Sequence, residues 1–332
     1  MKATLMTAIK QPLVARDMPD PQPGPGQVRI RLHATGVCGT DVHIWHGELP
    51  VPLPIVPGHE PVGEVDMLGA GVRSVRIGDR VGVGWFQAGC GRCVYCQKKQ
   101  VKFCAESKTW ITNGGGYAEY MIAEAEGCTL LPDGLEWVAA APLFCGGFSA
   151  MSAYRAARPL AGERVAILGI GGLGHLALQI AKAMGHPVIA ITNSADKQRD
   201  AREMGADEVL IVKDHAGREL QEMGGTDVIL SFSPSMKQNS QAMEGLRAGG
   251  RLVTTAVSAD PIQADPVQML FKQTSIIGSA QNDPADLIDI VRLVADGKVR
   301  PRLETYRIDE INRVLVRLSE GKVRHRAVVT QS

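Results

Sequence analysis

Four cysteines stand close together as Cys90-x2-Cys93-x2-Cys96-x7-Cys104. Four thiolates on a short, glycine-containing loop can wrap one ion tetrahedrally. A four-coordinate set with every position filled is the pattern of a structural zinc site. An iron–sulfur cluster also takes four thiolates and is the weaker rival. Free or disulfide-bonded thiols are the plain alternative, disfavoured in a reducing compartment. A second set is scattered: Cys38, the pair His59-Glu60, and Cys145. Singly these residues are ordinary, since a lone buried cysteine is more often core than ligand. A third signal is Gly169-Ile170-Gly171-Gly172-Leu173-Gly174, which contains G-x-G-x-x-G. Here it follows an apolar strand and opens a helix, the context in which it binds dinucleotides. Gly169 would permit the tight turn, Gly171 the close approach of a pyrophosphate, and Gly174 close helix–strand packing. The helix N-terminus adds free N–H groups for the anion.

The end of the next strand bears on cofactor choice. A carboxylate there would hold the ribose 2′-hydroxyl of NAD. Instead Val188–Ile191 is followed by Thr192, Asn193 and Ser194, with no carboxylate before Asp196 and with Lys197 and Arg199 close behind. Hydroxyls, an amide and two cations suit a 2′-phosphate, so the stretch favours NADP over NAD. The alternative is that Ser194 only caps a helix and the cations face solvent.

These residues need two kinds of scaffold. To about residue 140 the chain reads as β-rich, with short apolar runs (27–38, 63–72, 79–86) broken by glycine and proline. Such runs suit a partly barrel-like antiparallel sheet. After about residue 150 strands and helices alternate. Candidate strands are 164–168, 187–192, 208–212, 227–232, 249–257 and 275–280, and helices lie between them, one over 194–207. Alternation of this kind predicts a parallel sheet with crossover helices. The last fifty residues carry a helix from about 285, another near 309–320, and a closing strand at 326–329.

Composition sets the outer limits. The 332 residues predict about two domains. With 45% hydrophobic and 21% charged residues, a wholly disordered chain is excluded. Lys and Arg total 36 against 35 Asp and Glu, which gives no electrostatic sign of nucleic-acid binding. No apolar run approaches the length of a membrane span, and the start lacks the pattern of a secretory signal. The expectation is a cytoplasmic protein with no nucleic-acid or membrane partner.

Taken together the motifs resemble one family over essentially the whole chain. Gly58-His59-Glu60-x2-Gly63-x5-Gly69-x2-Val72 looks like the zinc signature of the zinc-dependent medium-chain alcohol dehydrogenases. The four-cysteine loop and the glycine turn follow in that family's order. Pro142-Leu143-Phe144-Cys145-Gly146-Gly147 and Thr192-Asn193-Ser194-x2-Lys197 resemble the branch of cinnamyl-alcohol-dehydrogenase-like enzymes and bacterial NADPH-dependent aldehyde reductases. Pro61 departs from the family pattern, in which a small residue is frequent.

The resemblance implies an α/β protein in three stretches. A GroES-like catalytic domain would span 1–145 and a Rossmann nucleotide-binding domain 146–281, while 282–332 would return to the catalytic domain. Cys38, His59 and Cys145 would hold a catalytic zinc, and the four-cysteine loop a structural one. Glu60 would lie beside the metal and Asp41 would orient His59. Thr40 and His43 would carry the substrate proton outward. Arg326 would sit near the cofactor pyrophosphate, and Cys128, which matches no position of the family pattern, is read as structural. The implied reaction is hydride transfer between NADP(H) and a primary alcohol or aldehyde, in a homodimer or homotetramer.

Trp45, Trp85, Phe86 and Trp110 are candidates for substrate-pocket walls or for ordinary core. Three rivals stand beside this reading. A zinc-free quinone or enone reductase would lack the ligand set. A polyol dehydrogenase would carry a carboxylate in place of Cys145. A non-catalytic dinucleotide-binding regulator would have lost catalytic residues, all of which are present here.

Overall fold

A computed structural model describes residues 1–331. The chain divides into two units, Met1–Cys145 with Pro301–Ser332, and Gly146–Arg300. The second crossing therefore falls at 300 and not at 282. The helix Pro284–Ala295 stays with the second unit because its buried Asp286 accepts a 2.6 Å hydrogen bond from Ser152.

The first unit is built on a seven-stranded sheet. Its order is Leu303–Arg307, Arg326–Thr330, Gln27–Val37, Glu60–Leu68, Arg80–Val83, Cys128–Leu130, with Tyr120–Glu124 joining the long strand Gln27–Val37. Only the first pair is parallel, so the sheet is mixed, not purely antiparallel. Val28, Ile30 and Leu32 alternate into a core with Val65, Val81 and Met121, as a sheet with one buried face requires. Gly63 allows the tight pairing of Gln27–Val37 with Glu60–Leu68, because a Cβ there would lie 2.1 Å from the Arg31 carbonyl oxygen. Pro61 lies in that ladder opposite Thr35. A short antiparallel pair, Phe86–Ala88 with Lys108–Thr109, closes the base of the four-cysteine loop.

The second unit holds a six-stranded sheet that is parallel throughout. Its order is Glu208–Ile211, Val188–Thr192, Val165–Leu168, Thr226–Ser231, Leu246–Thr254, Ser275–Gly278. The sequence order reverses at Val165–Leu168, which places a ligand crevice at the carboxyl ends of the central strands. Those strands are continuous apolar runs buried on both faces, as parallel strands covered by helices must be. Among the described residues no helix is long and apolar enough to cross a membrane.

Candidate active site

Cys38 directly follows the long strand Gln27–Val37 and is the N-cap of the helix Gly39–His46. Asp41, in the first turn, does two things there. Its Oδ2 accepts the Cys38 backbone N–H at 2.8 Å, and its Oδ1 pairs with His59 Nδ1 at 3.2 Å. With Nδ1 so engaged, His59 turns Nε2 inward, where it is buried and has no partner. Cys38, His59, Glu60 and Cys145 bring their donor atoms within 4.8 Å of one another. The Cys38 and Cys145 sulfurs are 3.8 Å apart. Two sulfurs each about 2.3 Å from one tetrahedral ion would be separated by about 3.8 Å. The spacing and the orphaned Nε2 both fit a zinc ion. A Cys2His set that leaves a position open is the arrangement for which alcohol dehydrogenases are themselves the standard example.

The electrostatics of this cluster follow from burial. Burial would depress the His59 imidazole, but Asp41 and Cys38 hold it well above its usual value. The hydrogen bond between the two sulfurs holds the Cys38 thiol low and the Cys145 thiol high. Burial pushes Glu60 up to about 7, against the pull of Arg326. Glu60 is wholly buried and both its carboxylate oxygens meet Arg326 Nη2, itself 3% exposed. Gly36 makes room for that carboxylate, since a Cβ there would lie 1.8 Å from Glu60 Oε2. Arg326, expected beside a pyrophosphate, thus has its guanidinium on Glu60, although its buried Nε has no partner.

Thr40 Oγ1 lies 3.7 Å from Cys38 Sγ. His43 follows one turn later, so the two share a helix face. The His43 side chain is 45% exposed and pairs with Glu48 at 2.5 Å. The Trp85 indole meets the His59 ring edge-on at 5.2 Å, and Trp110 meets Trp85 at 5.6 Å. Trp110 is fully buried core, whereas Trp85 is half-buried. Trp45 is fixed by donating Nε1–H to the Gln11 carbonyl. Tyr117, absent from the sequence reading, is fully buried with an unpartnered hydroxyl. Burial and Asp41 raise that hydroxyl well above its ordinary pKa.

In the loop, Cys90, Cys93, Cys96 and Cys104 also lie within 4.8 Å of one another. The Cys90 and Cys96 sulfurs are 4.0 Å apart. Backbone N–H groups of Cys90, Cys93 and Cys96 point at the sulfurs of Cys104, Cys90 and Cys93 at 3.4–3.5 Å. The Arg92 and Cys93 N–H groups pull Cys90 down to about 7. Desolvation and the neighbouring thiols push Cys96 up to about 12. Thiols this close ionise together only around a cation, which a zinc ion would supply. Cys128 lies outside both sets, and burial pushes it up to about 12.

In the second unit Gly169 has φ +92° and opens the turn. A Cβ on Gly174 would lie 1.9 Å from the Gly169 carbonyl oxygen, while a Cβ on Gly171 would meet nothing within 4 Å. Gly174 therefore serves packing, and Gly171 faces the open space a pyrophosphate needs. Gly172 and Leu173 complete the turn into the helix Gly174–Ala183. Gly169, Ile170 and Gly171 line a cavity of about 220 Å³ together with Thr192, Asn193 and Lys197. The sequence reading missed Lys213 on the same rim. Its signal was its place just beyond the end of Glu208–Ile211. Ser194 does not cap the next helix, which runs Lys197–Glu203 from Asp196. Its hydroxyl donates to Asp196 instead. Arg199 is spent on an exposed pair with Glu203.

Comparison with known proteins agrees with both halves. Residues 24–133 match the alcohol dehydrogenase GroES-like domain, and residues 172–296 match the zinc-binding dehydrogenase domain. An alcohol dehydrogenase of Geobacillus stearothermophilus is 36% identical over 99% of this chain and 98% of its own length. The solved structure of the alcohol dehydrogenase from the archaeon Aeropyrum pernix superposes with a TM-score of 0.90 at 31% identity, covering 99% of this chain and all of that one. The acetophenone reductase of Geotrichum candidum, solved with NAD, superposes at 0.86 with 28% identity, covering 99% of this chain and 96% of that one. The chain belongs to the zinc-dependent medium-chain alcohol dehydrogenase family, with a GroES-like and a Rossmann-type domain.

Proposed function

We propose that this alcohol dehydrogenase is an NADP(H)-linked enzyme that interconverts primary alcohols and aldehydes at the Cys38–His59–Cys145 cluster. The observation that carries the reading is that cluster's geometry: two thiols and an orphaned imidazole nitrogen at the separations of a zinc site with one position left over. When bound, zinc supplies Lewis-acid polarisation of the substrate oxygen, and the nicotinamide supplies the hydride chemistry. The chain does the rest. Asp41 fixes the His59 tautomer and ring plane. Thr40 receives the alcohol proton, and His43, on the exposed end of the same helix face, passes it to solvent. Trp85 offers an apolar wall beside His59 and suits an apolar or aromatic substrate. Arg326 is the counter-ion of Glu60.

Support for NADP is the cavity rim: Thr192, Asn193, Lys197 and Lys213 offer a hydroxyl, an amide and two cations where a carboxylate would repel a 2′-phosphate. Asp214 on the same rim favours the NAD reading, but Lys237 pairs with it at 2.9 Å. The four-cysteine loop is assigned a second, structural zinc. Thiolate ligands require reduced cysteines, which suits the cytoplasm. A homodimer or homotetramer is supported by the helix Pro266–Lys272, which buries none of its residues and leaves Leu270 and Phe271 at 72% and 81% exposure. The adjacent strand Ser275–Gly278 is an edge of its sheet.

Initial rates of aldehyde reduction with NADPH and NADH at matched concentrations test the cofactor assignment. The expected preference for NADPH in kcat/KM is at least about tenfold, or about 1.4 kcal/mol, and Lys197→Ala should erase most of it. A preference for NADH would overturn the 2′-phosphate reading and leave the enzyme class intact.

A further inference from the structure

Three side chains in the first unit form a column that the chemistry above does not use. The His33 imidazole lies parallel to the Trp137 indole, with 4.5 Å between centroids and 1° between planes. The Arg80 guanidinium lies 3.9 Å from the centroid of the same indole. Arg80 also donates through Nη2 to the Leu135 carbonyl, two residues before Trp137. Planar cations and imidazoles stack on indole faces by electrostatics and dispersion. Here that stacking replaces solvent, for His33 Nε2 and Arg80 Nε are both buried.

Each member belongs to a segment that leads to the metal cluster. His33 lies on Gln27–Val37, which runs directly into Cys38. Arg80 opens the strand Arg80–Val83. Gly82 of that strand seats the Phe144 ring, since a Cβ there would lie 2.1 Å from it. Trp137 opens the helix Trp137–Ala140, whose 3-10 continuation Ala141–Phe144 ends at Cys145. This arm cannot hold its own shape. Its helix is a single turn, and the cap residue Glu136 makes no side-chain bond. A helix of that length is set by what it packs against. The near end is buried through Ala140, Ala141, Leu143 and Phe144, with the Phe144 ring over Gly82, and the half-buried Trp137 at the far end stacks in the column.

We propose that the Arg80–Trp137–His33 column positions the Cys145 arm and so sets the spacing of Cys145 from Cys38 and His59 that a bound ion requires. Trp137 is a positioning residue acting through Cys145. The inference rests on the reading of Cys38, His59 and Cys145 as zinc ligands.

The test is zinc retention under chelator challenge, read as zinc per chain over time. Cys145→Ser and Cys104→Ser chains assign the two zinc populations. Val65→Ala, a core truncation in the same unit, controls for general loosening. In Trp137→Ala the zinc assigned to Cys145 should leave on the order of 10- to 100-fold faster, the range for groups that support metal ligands. The loop zinc should leave at the wild-type rate, and Trp137→Phe should restore most of the difference. The absorption bands of the cobalt-substituted catalytic site should shift in Trp137→Ala and stay put in Val65→Ala. If Trp137→Ala does not fold, Arg80→Lys carries the same test, because it keeps the charge and loses the planar face. Unchanged release of the Cys145 zinc would overturn the proposal, as would equal acceleration of both zincs or the same effect in Val65→Ala. A wild-type chain with no zinc at Cys145 would overturn the functional reading, and this inference with it.

Discussion

The two candidate metal sites lie in one unit and are built in opposite ways. The loop site takes all its ligands from one short stretch, Cys90 to Cys104, with three of the four sulfur-bearing residues half-exposed. Its own backbone N–H groups point at its own sulfurs, and a two-strand pair closes its base. The other site draws ligands from three distant segments and buries Cys38, His59 and Glu60. It also buries three charged groups, Asp41, Glu60 and Arg326, whereas the Arg92–Glu106 pair at the loop site is exposed. Burial makes those charges strong, and any one left unpaired there is costly. A local, thiol-only site is suited to hold a loop. A buried, charged site assembled by the fold is suited to hold and act on a substrate.

That contrast can be broken most sharply at Cys145. Cys145→Ser should lower turnover by more than about 100-fold, beyond the range seen when only a supporting group of a ligand is lost. Metal analysis should then find one zinc fewer per chain, with the loop zinc retained. Retained turnover would mean the assembled cluster is not the site of chemistry. Next in size is the relay. Thr40→Val should reduce kcat by about 100-fold, within the usual span for general acid–base groups, and both zincs should remain. Normal kcat in that variant would remove Thr40 from the proton path. Cys104→Ser should have the smallest effect on the chemistry. It should cost one zinc and about 1–3 kcal/mol of stability in thermal or denaturant unfolding, while kcat per folded molecule stays within about twofold. A large fall in kcat without lost stability would mean the loop does more than hold structure.

The sequence was most legible where its signals are local. The loop cysteines could be read from spacing alone, because short spacings in one stretch leave the chain few ways to arrange four sulfurs. The glycine turn was equally clear, and Gly174 has the close approach that its place in the motif required. The parallel unit followed from alternating apolar strands and helical periods. Helix ends were less legible. Ser194 looked like a cap, yet the helix starts three residues later, because its hydroxyl found Asp196. The return point at 300 was missed because the apolar face of Pro284–Ala295 fits either unit by pattern, and its partner shows in contacts such as the Ser152–Asp286 bond and the Arg155–Asp286 pair.

The sequence by itself determined the motifs whose parts are neighbours: the four-cysteine loop, the glycine turn, and the change from β-rich to alternating grammar. Only the tertiary structure decided that the Glu60 carboxylate would rest on Arg326 in the room left by Gly36, that Trp85 would stand edge-on to His59, and that Lys213 would join the rim of the cavity at the glycine turn. It also decided that Trp137, at the start of the segment that leads to Cys145, would stack with His33 and Arg80. The physical reason is the same in each case. A local motif is specified by chain geometry over a few residues, whereas these contacts join groups tens to hundreds of residues apart, and sheet register and burial, not spacing, bring them together.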